Sequence, residues 1–266
     1  MLGERIIRVV PVSDPTALGH GIGAMFGIQC LPNRVDTVAD ELAFKHDVDH
    51  VVVCGGHYNI MIATVFKGPE MLSDFVRVKL GAIHGLTAVD TMMVLKMVKA
   101  SFVALAPEEY RSLDVPSSLS LDALDRGLIS ELRHNGKKSQ IELAARLGTS
   151  PATIRRRMHR LLDNGIMKLV AIADPQVLGF RMRAAIGVNA RHGKIDTVAD
   201  ELSSFTNIHH VVICTGRYDV IAWAVFRGLT DFSRFVRNDL GKVRGIERHE
   251  TLVTLRVAKE VYSIPG

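Results

Sequence analysis

At an offset of 160 residues the chain matches itself. The match runs without a gap from Ile6/Ile166 to Lys99/Lys259 and holds 34 identities in 94 positions. The heptapeptide DTVADEL stands at Asp36–Leu42 and again at Asp196–Leu202, and Asp14-Pro15, Leu18-Gly19, Cys54 and Tyr58 recur as Asp174-Pro175, Leu178-Gly179, Cys214 and Tyr218. Solenoids need shorter units in several copies, so a period this long, present twice, is a duplicated domain. Between the copies lie 66 residues with no partner elsewhere in the chain. Two like units and one unlike insert are what any fold must accommodate.

Each copy reads strand, helix, strand, strand, helix, strand. Val35, Val38, Ala39 and Leu42 recur at helical spacing, as do Ile195, Val198, Ala199 and Leu202. Two β-branched runs follow, at Val48–Val53 and Asn59–Phe66, matched by Ile208–Ile213 and Asp219–Phe226. Their short connections predict antiparallel hairpins. A second helix presents Leu72, Phe75, Val76 and Leu80, or Phe232, Phe235, Val236 and Leu240. A last strand lies near Ala88–Val98 or Arg248–Val257. The order βαββαβ is the ferredoxin-like arrangement, with both helices on one face of a four-stranded sheet. The other face needs a partner sheet, and the duplicate supplies one, within the chain or by exchange between two chains.

Composition narrows the class. The chain of 266 residues is 47% apolar and 23% charged, with net charge +5 and three cysteines. No run reaches the roughly 18 apolar residues of a membrane span, and the first residues lack a signal peptide's apolar centre. Three cysteines cannot build a disulfide framework and fit a reducing cytoplasm.

Several features invite a chemical reading. Gly19–Gly27 resembles a dinucleotide loop, but no helix starts at it, as phosphate binding would require. His50 with Cys54, and His210 with Cys214, resemble metal ligands. Four residues apart on a strand, they stand about 13 Å from each other, too far for one ion, so neither a metal nor a cofactor is expected. The acids of DTVADEL read as a solvated helix face. The hairpin turn is the better candidate: Thr215, Gly216, Arg217, Tyr218 and Asp219 in copy two, Gly56, His57, Tyr58 and Asn59 in copy one. Its glycine leaves backbone N–H groups open to a carboxylate, and Asp219 suits an ammonium group. Asn59 lacks that charge.

The insert changes pattern. After Pro107, Pro116, Ser117 and Ser118, Ser120 is expected to cap a helix with apolar positions Leu121, Leu124, Leu128, Ile129 and Leu132. Ser139-Gln140-Ile141-Glu142 is a capping box opening a short helix, Gln140–Leu147. Ser150-Pro151 caps a third helix after a Gly-Thr-Ser turn. This is a helix-turn-helix plan. On the third helix Ile154, Met158 and Leu161 form the core stripe, and Ala152, Arg156, His159 and Asp163 lie opposite. In a major groove Arg156, His159 and Arg160 would face base edges, Arg155 and Arg157 phosphates, and Ala152 and Thr153 thymine methyls beside the Ser150 cap. Leu119–Gly165 carries nine Lys/Arg against five Asp/Glu, most of the chain's positive excess.

A basic helix-turn-helix, then "GIMKLVAIADPQVLGF", then βαββαβ with "TGRYDV" at the hairpin, resembles the Lrp/AsnC family of feast/famine transcription regulators. The likeness covers Leu119–Lys259 and, through the repeat, Ile6–Lys99. It implies an α+β architecture: a ferredoxin-like sensor (RAM) domain at 1–105, a linker at 106–118, an all-α, winged-helix-like reader with its following strand at 119–173, and a second sensor at 174–266. It also implies double-stranded DNA and a small amino-acid-like effector as partners. Two departures stand out. One reader serves two sensors, and copy one begins at the strand that follows the reader in copy two.

The leading expectation is a cytoplasmic, sequence-specific regulator without catalytic chemistry or a membrane partner. It would assemble from an even number of chains, because a two-fold operator needs two readers. An enzyme on the same scaffold, similar to tetrapyrrole-precursor decarboxylases and using His57, His84, His192 and Arg217, is the alternative. A sensor or assembly protein without DNA binding is the third reading.

Overall fold

On strand Ile22–Cys30, Ala24, Phe26 and Ile28 join the cluster that packs on helices, while Met25 between them joins a different cluster. Ala184, Ile186 and Val188 divide from Ala185 in the same way. Both faces of each sheet are therefore buried, which is why these strands read as nearly continuous apolar runs rather than alternating ones. The computed structural model describes residues 7–13, 21–101, 121–134, 138–164, 166–173 and 175–261. The expected linker, Ser120 and the first six residues lie outside them.

Copy one comprises β2 (Ile22–Cys30), α1 (Val35–Phe44), β3 (His50–Gly55), β4 (Ile60–Phe66), α2 (Pro69–Asp74) and β5 (Leu86–Ala100). Copy two comprises β7 (Met182–Ala190), α6 (Ile195–Ser204), β8 (Ile208–Cys214), β9 (Val220–Phe226), α7 (Leu229–Arg234) and β10 (Ile246–Glu260). The sheets, β5-β2-β4-β3 and β10-β7-β9-β8, have the ferredoxin-like order. The second helix of each unit is shorter than expected and continues as a π turn, at Phe75–Leu80 and Phe235–Asp239. A π turn bonds i to i+5; Phe75 with Leu80, and Phe235 with Leu240, are both buried at that spacing.

The two sheets close on each other within one chain. β5 pairs with β8 and β10 with β3, completing an eight-stranded barrel. Val94 stands opposite Cys214 and Thr254 opposite Cys54, so each seam is the other shifted by the repeat. Each seam has two register shifts, and bulges of this kind bend strands and tighten their twist. Met25, Met61, Met92, Ile221, Leu252 and the rings of Tyr58 and Tyr218 fill the space between the sheets. Gly27 and Gly187 are what let the tyrosines in. A Cβ on Gly27 would overlap the Tyr58 ring, and one on Gly187 would stand 2.6 Å from Tyr218. The glycine run first compared with a nucleotide loop thus continues into a packed strand.

The repeated heptapeptide also has a structural role beyond a solvated face. Asp36 and Asp40 on α1 hold Arg256 of β10 at 3.0 and 2.8 Å, and Asp196 on α6 holds Lys96 of β5 at 3.1 Å. Lys99 and Lys259 donate to carbonyls at the end of the opposite unit's first helix. Each long strand crosses the seam and is gripped by the other unit.

The remaining strands form a two-stranded antiparallel ribbon, β1 (Ile7–Ser13) with β6 (Met167–Ala173). Val10 pairs with Val170, its own repeat equivalent, so the pseudo-two-fold axis extends to this ribbon. Between them in sequence lie α3 (Ala123–His134), α4 (Gln140–Arg146) and α5 (Pro151–Asp163), packed around Leu128, Ile129, Leu132, Leu143, Ile154 and Leu161.

Candidate DNA-binding face and hairpin-turn site

The helical insert is built by its caps. Ser139 accepts from Glu142 N and Glu142 returns a bond from Ser139 N at 2.7 Å, the reciprocal box expected of that tetrapeptide. Gly148, at φ +62°, ends α4, with Thr149 N donating to Ala144 O at 3.0 Å. Ser150 then accepts from Thr153 N at 3.2 Å and Pro151 opens α5. At α3 a second reciprocal pair appears: Asp125 N donates to Asp122 at 2.9 Å and Asp122 N to Asp125 at 3.3 Å.

α5 then sorts its side chains. Ile154 and Leu161 are buried, with Met158 packed beside them; Ala152, Arg155, Arg156 and His159 are exposed and Thr153 is half-buried. Two of the four arginines take other positions than the helical wheel suggested. Arg157 binds Asp122 at 2.7 Å and Asp125 at 3.2 Å, and Arg160 reaches Asp125 at 3.5 Å. Asp125 is fully buried, so this is an internal clamp of α5 on α3. Backbone donation from Asp125, with Arg157 beside it, holds the Asp122 carboxyl below its usual range. The exposed cationic face is therefore Arg155 and Arg156, flanked by His159 and the Ser150 end of the helix. Asp122 and Asp125 were missed in the sequence; their D-x-x-D spacing ahead of an apolar helical run was the available signal.

The hairpin turns lie at the barrel seams. Thr215 N donates to Met93 O at 2.9 Å, and Met93 N donates to Thr215 Oγ1 at 3.2 Å. Gly216 has φ +101°, and a Cβ there would stand 2.8 Å from Thr91 O; Gly56, at φ +135°, meets Thr251 O at 2.7 Å. Each turn thus needs glycine for both its backbone angle and its contact with the other unit's long strand.

Behind the turns the copies diverge. Arg217 holds Glu250 at 2.8 and 3.3 Å, and Tyr218 donates to the same carboxylate at 2.7 Å. Bonds from Arg217 and Tyr218 keep Glu250 below its usual range, while burial and Glu250 push the Tyr218 hydroxyl up. In copy one Tyr58 donates to Asp90 at 2.6 Å, and His57 packs edge-on against the Tyr58 ring. Neither Asp90 nor Glu250 was singled out in the sequence, though both are acids at equivalent positions of a strand. Asp219 and Asn59 do the same job: Asp219 accepts from Ala190 N at 2.9 Å and Asn59 from Cys30 N at 3.0 Å. A shared strand-end bond, rather than a lost charge, is what their repeat equivalence preserves. Cys54 and Cys214 are buried and donate to the Tyr58 and Tyr218 carbonyls, and burial raises both thiols to about 12.

Comparison with known proteins agrees with this division. The Lrp/AsnC ligand binding domain matches residues 23–103 and 183–264, and the AsnC-type helix-turn-helix domain matches 121–162. An HTH-type transcriptional regulator of Pyrococcus horikoshii is 30% identical over 154 residues, covering 57% of this chain and 98% of that protein. The HTH-type transcriptional regulator FL11 of the same organism is 31% identical over 146 residues, 54% of this chain and 96% of its own. A crystal structure of the siroheme decarboxylase NirDL with an iron-uroporphyrin III analogue superposes at TM-score 0.68 and 17% identity, over 98% of this chain and 80% of that one. At that identity the likeness is one of fold. With both sensor units and the reader matched, the chain belongs to the Lrp/AsnC family of helix-turn-helix transcription regulators.

Proposed function

We propose that this regulator reads a two-fold operator through α5 of two chains and responds to a small amino-acid-like effector, without catalysing a reaction. The observation that carries the DNA-reading part is the sorting of α5: Arg155 and Arg156 exposed beside His159 and the Ser150 cap, with Ile154 and Leu161 buried behind them. Arg156 and His159 take base edges and Arg155 a phosphate, with Ala152 and Thr153 against thymine methyls. Arg157 and Arg160 instead hold α5 to Asp125 of α3.

One chain carries one reader, so an even number of chains is the competent form. Leu95 and Leu255, repeat equivalents that are 63% and 68% exposed on the two long strands, offer apolar surface for that assembly. The effector is assigned to the rim of the turns: Thr215, Gly216, Arg217, Tyr218 and Asp219, with Gly56, His57, Tyr58 and Asn59 as the weaker counterpart. Arg217 is the carboxylate-binding fork there, exchanging Glu250 for the ligand. The enzymatic alternative draws no support from its histidines: His84 and His192 stand in exposed turns, and His57 lies against Tyr58.

Operator footprinting with and without the amino acids tests this reading. Affinity falls steeply with salt, and one or more amino acids shift the footprint. Full affinity in an Arg155→Ala/Arg156→Ala variant overturns the DNA face. Light scattering that shows a single chain bound at full affinity overturns the assembly.

A further inference from the structure

One end of the barrel carries polar groups that neither the reader nor the turns employ. A cavity of about 60 Å³ opens there between the two sheets, lined by the half-buried His50, His209, Arg183 and Glu260 and by the buried Met25 and Met61. That volume exceeds what a single water needs. Nδ1 of His209 is buried and has no hydrogen-bond partner. Arg183 reaches Glu260 through one nitrogen at 3.4 Å, longer than a strong charge-assisted bond, and a guanidinium has five donors to offer.

The repeat shows that this lining is not a by-product of the fold. Positions 183, 209 and 260 correspond to Gly23, Asp49 and Ala100 in the other copy, so the equivalent corner lacks the guanidinium, the imidazole and the carboxylate in these places. A buried polar atom without a partner costs free energy unless something binds it.

We propose that this cavity is a binding site for a small carboxylate, one per chain, with the carboxylate on Arg183 and His209 and a short alkyl group against Met25 and Met61. The lining is amphipathic: its polar and charged groups are half-buried and its thioethers are buried. Arg183 supplies the charge, and His209 donates through Nδ1 when the ligand arrives. Burial and the neighbouring cations keep His209 neutral at physiological pH, so the guanidinium carries the charge complementarity. The site is separate from the hairpin turns and does not rest on their assignment to an effector.

The two sources of this chemistry are a simple organic acid and an amino acid, so acetate and L-alanine are the probes. Calorimetry on the full chain should give saturable binding of at least one of them, at one site per chain beyond any at the turns. His209→Phe and Arg183→Gln should each weaken it about tenfold, the loss of one charge-assisted hydrogen bond. Asp219→Ala should leave it unchanged, which separates this site from the turns. Acetate binding alone assigns an organic acid; tighter binding of alanine assigns an amino acid, with Glu260 as the ammonium partner. In the wild-type protein the imidazole nitrogens of His209 should shift in a ¹⁵N-histidine NMR titration, a readout that needs no variant. No binding of either probe, wild-type affinity in His209→Phe, or silent His209 nitrogens would each overturn the assignment.

Discussion

The barrel and the reader treat the same chain in opposite ways. Each sensor sheet needs cover for an apolar face, and duplication supplies it: the seams β5–β8 and β10–β3 repeat one register, and the tyrosines meet between them with ring centroids 6.5 Å apart. Among the described residues the reader has no such twin. The β1–β6 ribbon keeps the pseudo-two-fold axis, yet only one side of it carries helices matched to a DNA-binding domain. Duplication therefore lets one chain cover both sensor sheets, whereas the helix-turn-helix match falls once, at 121–162.

The sharpest way to break the comparison is at the turns. Gly216→Val and Gly56→Val each force a β-branched residue to positive φ and into the opposite long strand, and each should cost about 3 kcal/mol. Urea unfolding followed by the lone tryptophan, Trp223 in the barrel, reads this directly. Equal losses mean that the two seams are energetically equivalent; a silent Gly56→Val would break that symmetry. The reader should fail separately. Arg157→Ala leaves buried Asp125 with the more distant Arg160 as its cation and should cost the helical insert about 2 kcal/mol, lowering the far-UV helical transition while Trp223 fluorescence holds. Arg156→Ala, at the exposed face, should leave both transitions in place and weaken operator binding by about 1.5 kcal/mol.

Acid should act on the barrel before the reader. Burial lowers the pKa of His50, His209 and His210, the last to about 4. A histidine depressed in the folded state contributes stability that is complete above its unfolded value near 6.5 and is lost as pH falls toward the folded value. Urea midpoints reported by Trp223 should therefore decline between pH 6.5 and 4, and His210→Phe should flatten that decline. The smallest effect belongs to the cross-unit ion pairs. Lys96→Ala should cost about 0.5 kcal/mol, because both partners are largely exposed, and 0.5 M salt should abolish the difference.

Much of this was legible in the residues because the repeat constrains twice. The βαββαβ order, the capping box at Ser139 and the core stripe of α5 follow from local spacing. What local spacing does not carry is the partner of a charged side chain. Arg157 and Arg160 read as outward-facing until Asp125 is seen buried beneath them, and Asp36 and Asp196, solvated as expected, also hold Arg256 and Lys96 across the seam. Asn59 and Asp219 looked like a lost and a kept charge, but both accept one backbone N–H. The π turns were likewise hidden, since Leu72, Val76 and Leu80 recur at the four-residue spacing of an ordinary helix.

The most direct test of closure within one chain is a crosslink at a seam. Val94 lies opposite Cys214, and both face the same core cluster. In Val94→Cys, mild oxidation should join residue 94 to Cys214 inside a single chain. The product should migrate as one chain on a non-reducing gel, with the crosslinked peptide at unit chain mass. A covalent dimer, or no bond between these positions in the folded protein, would contradict the account.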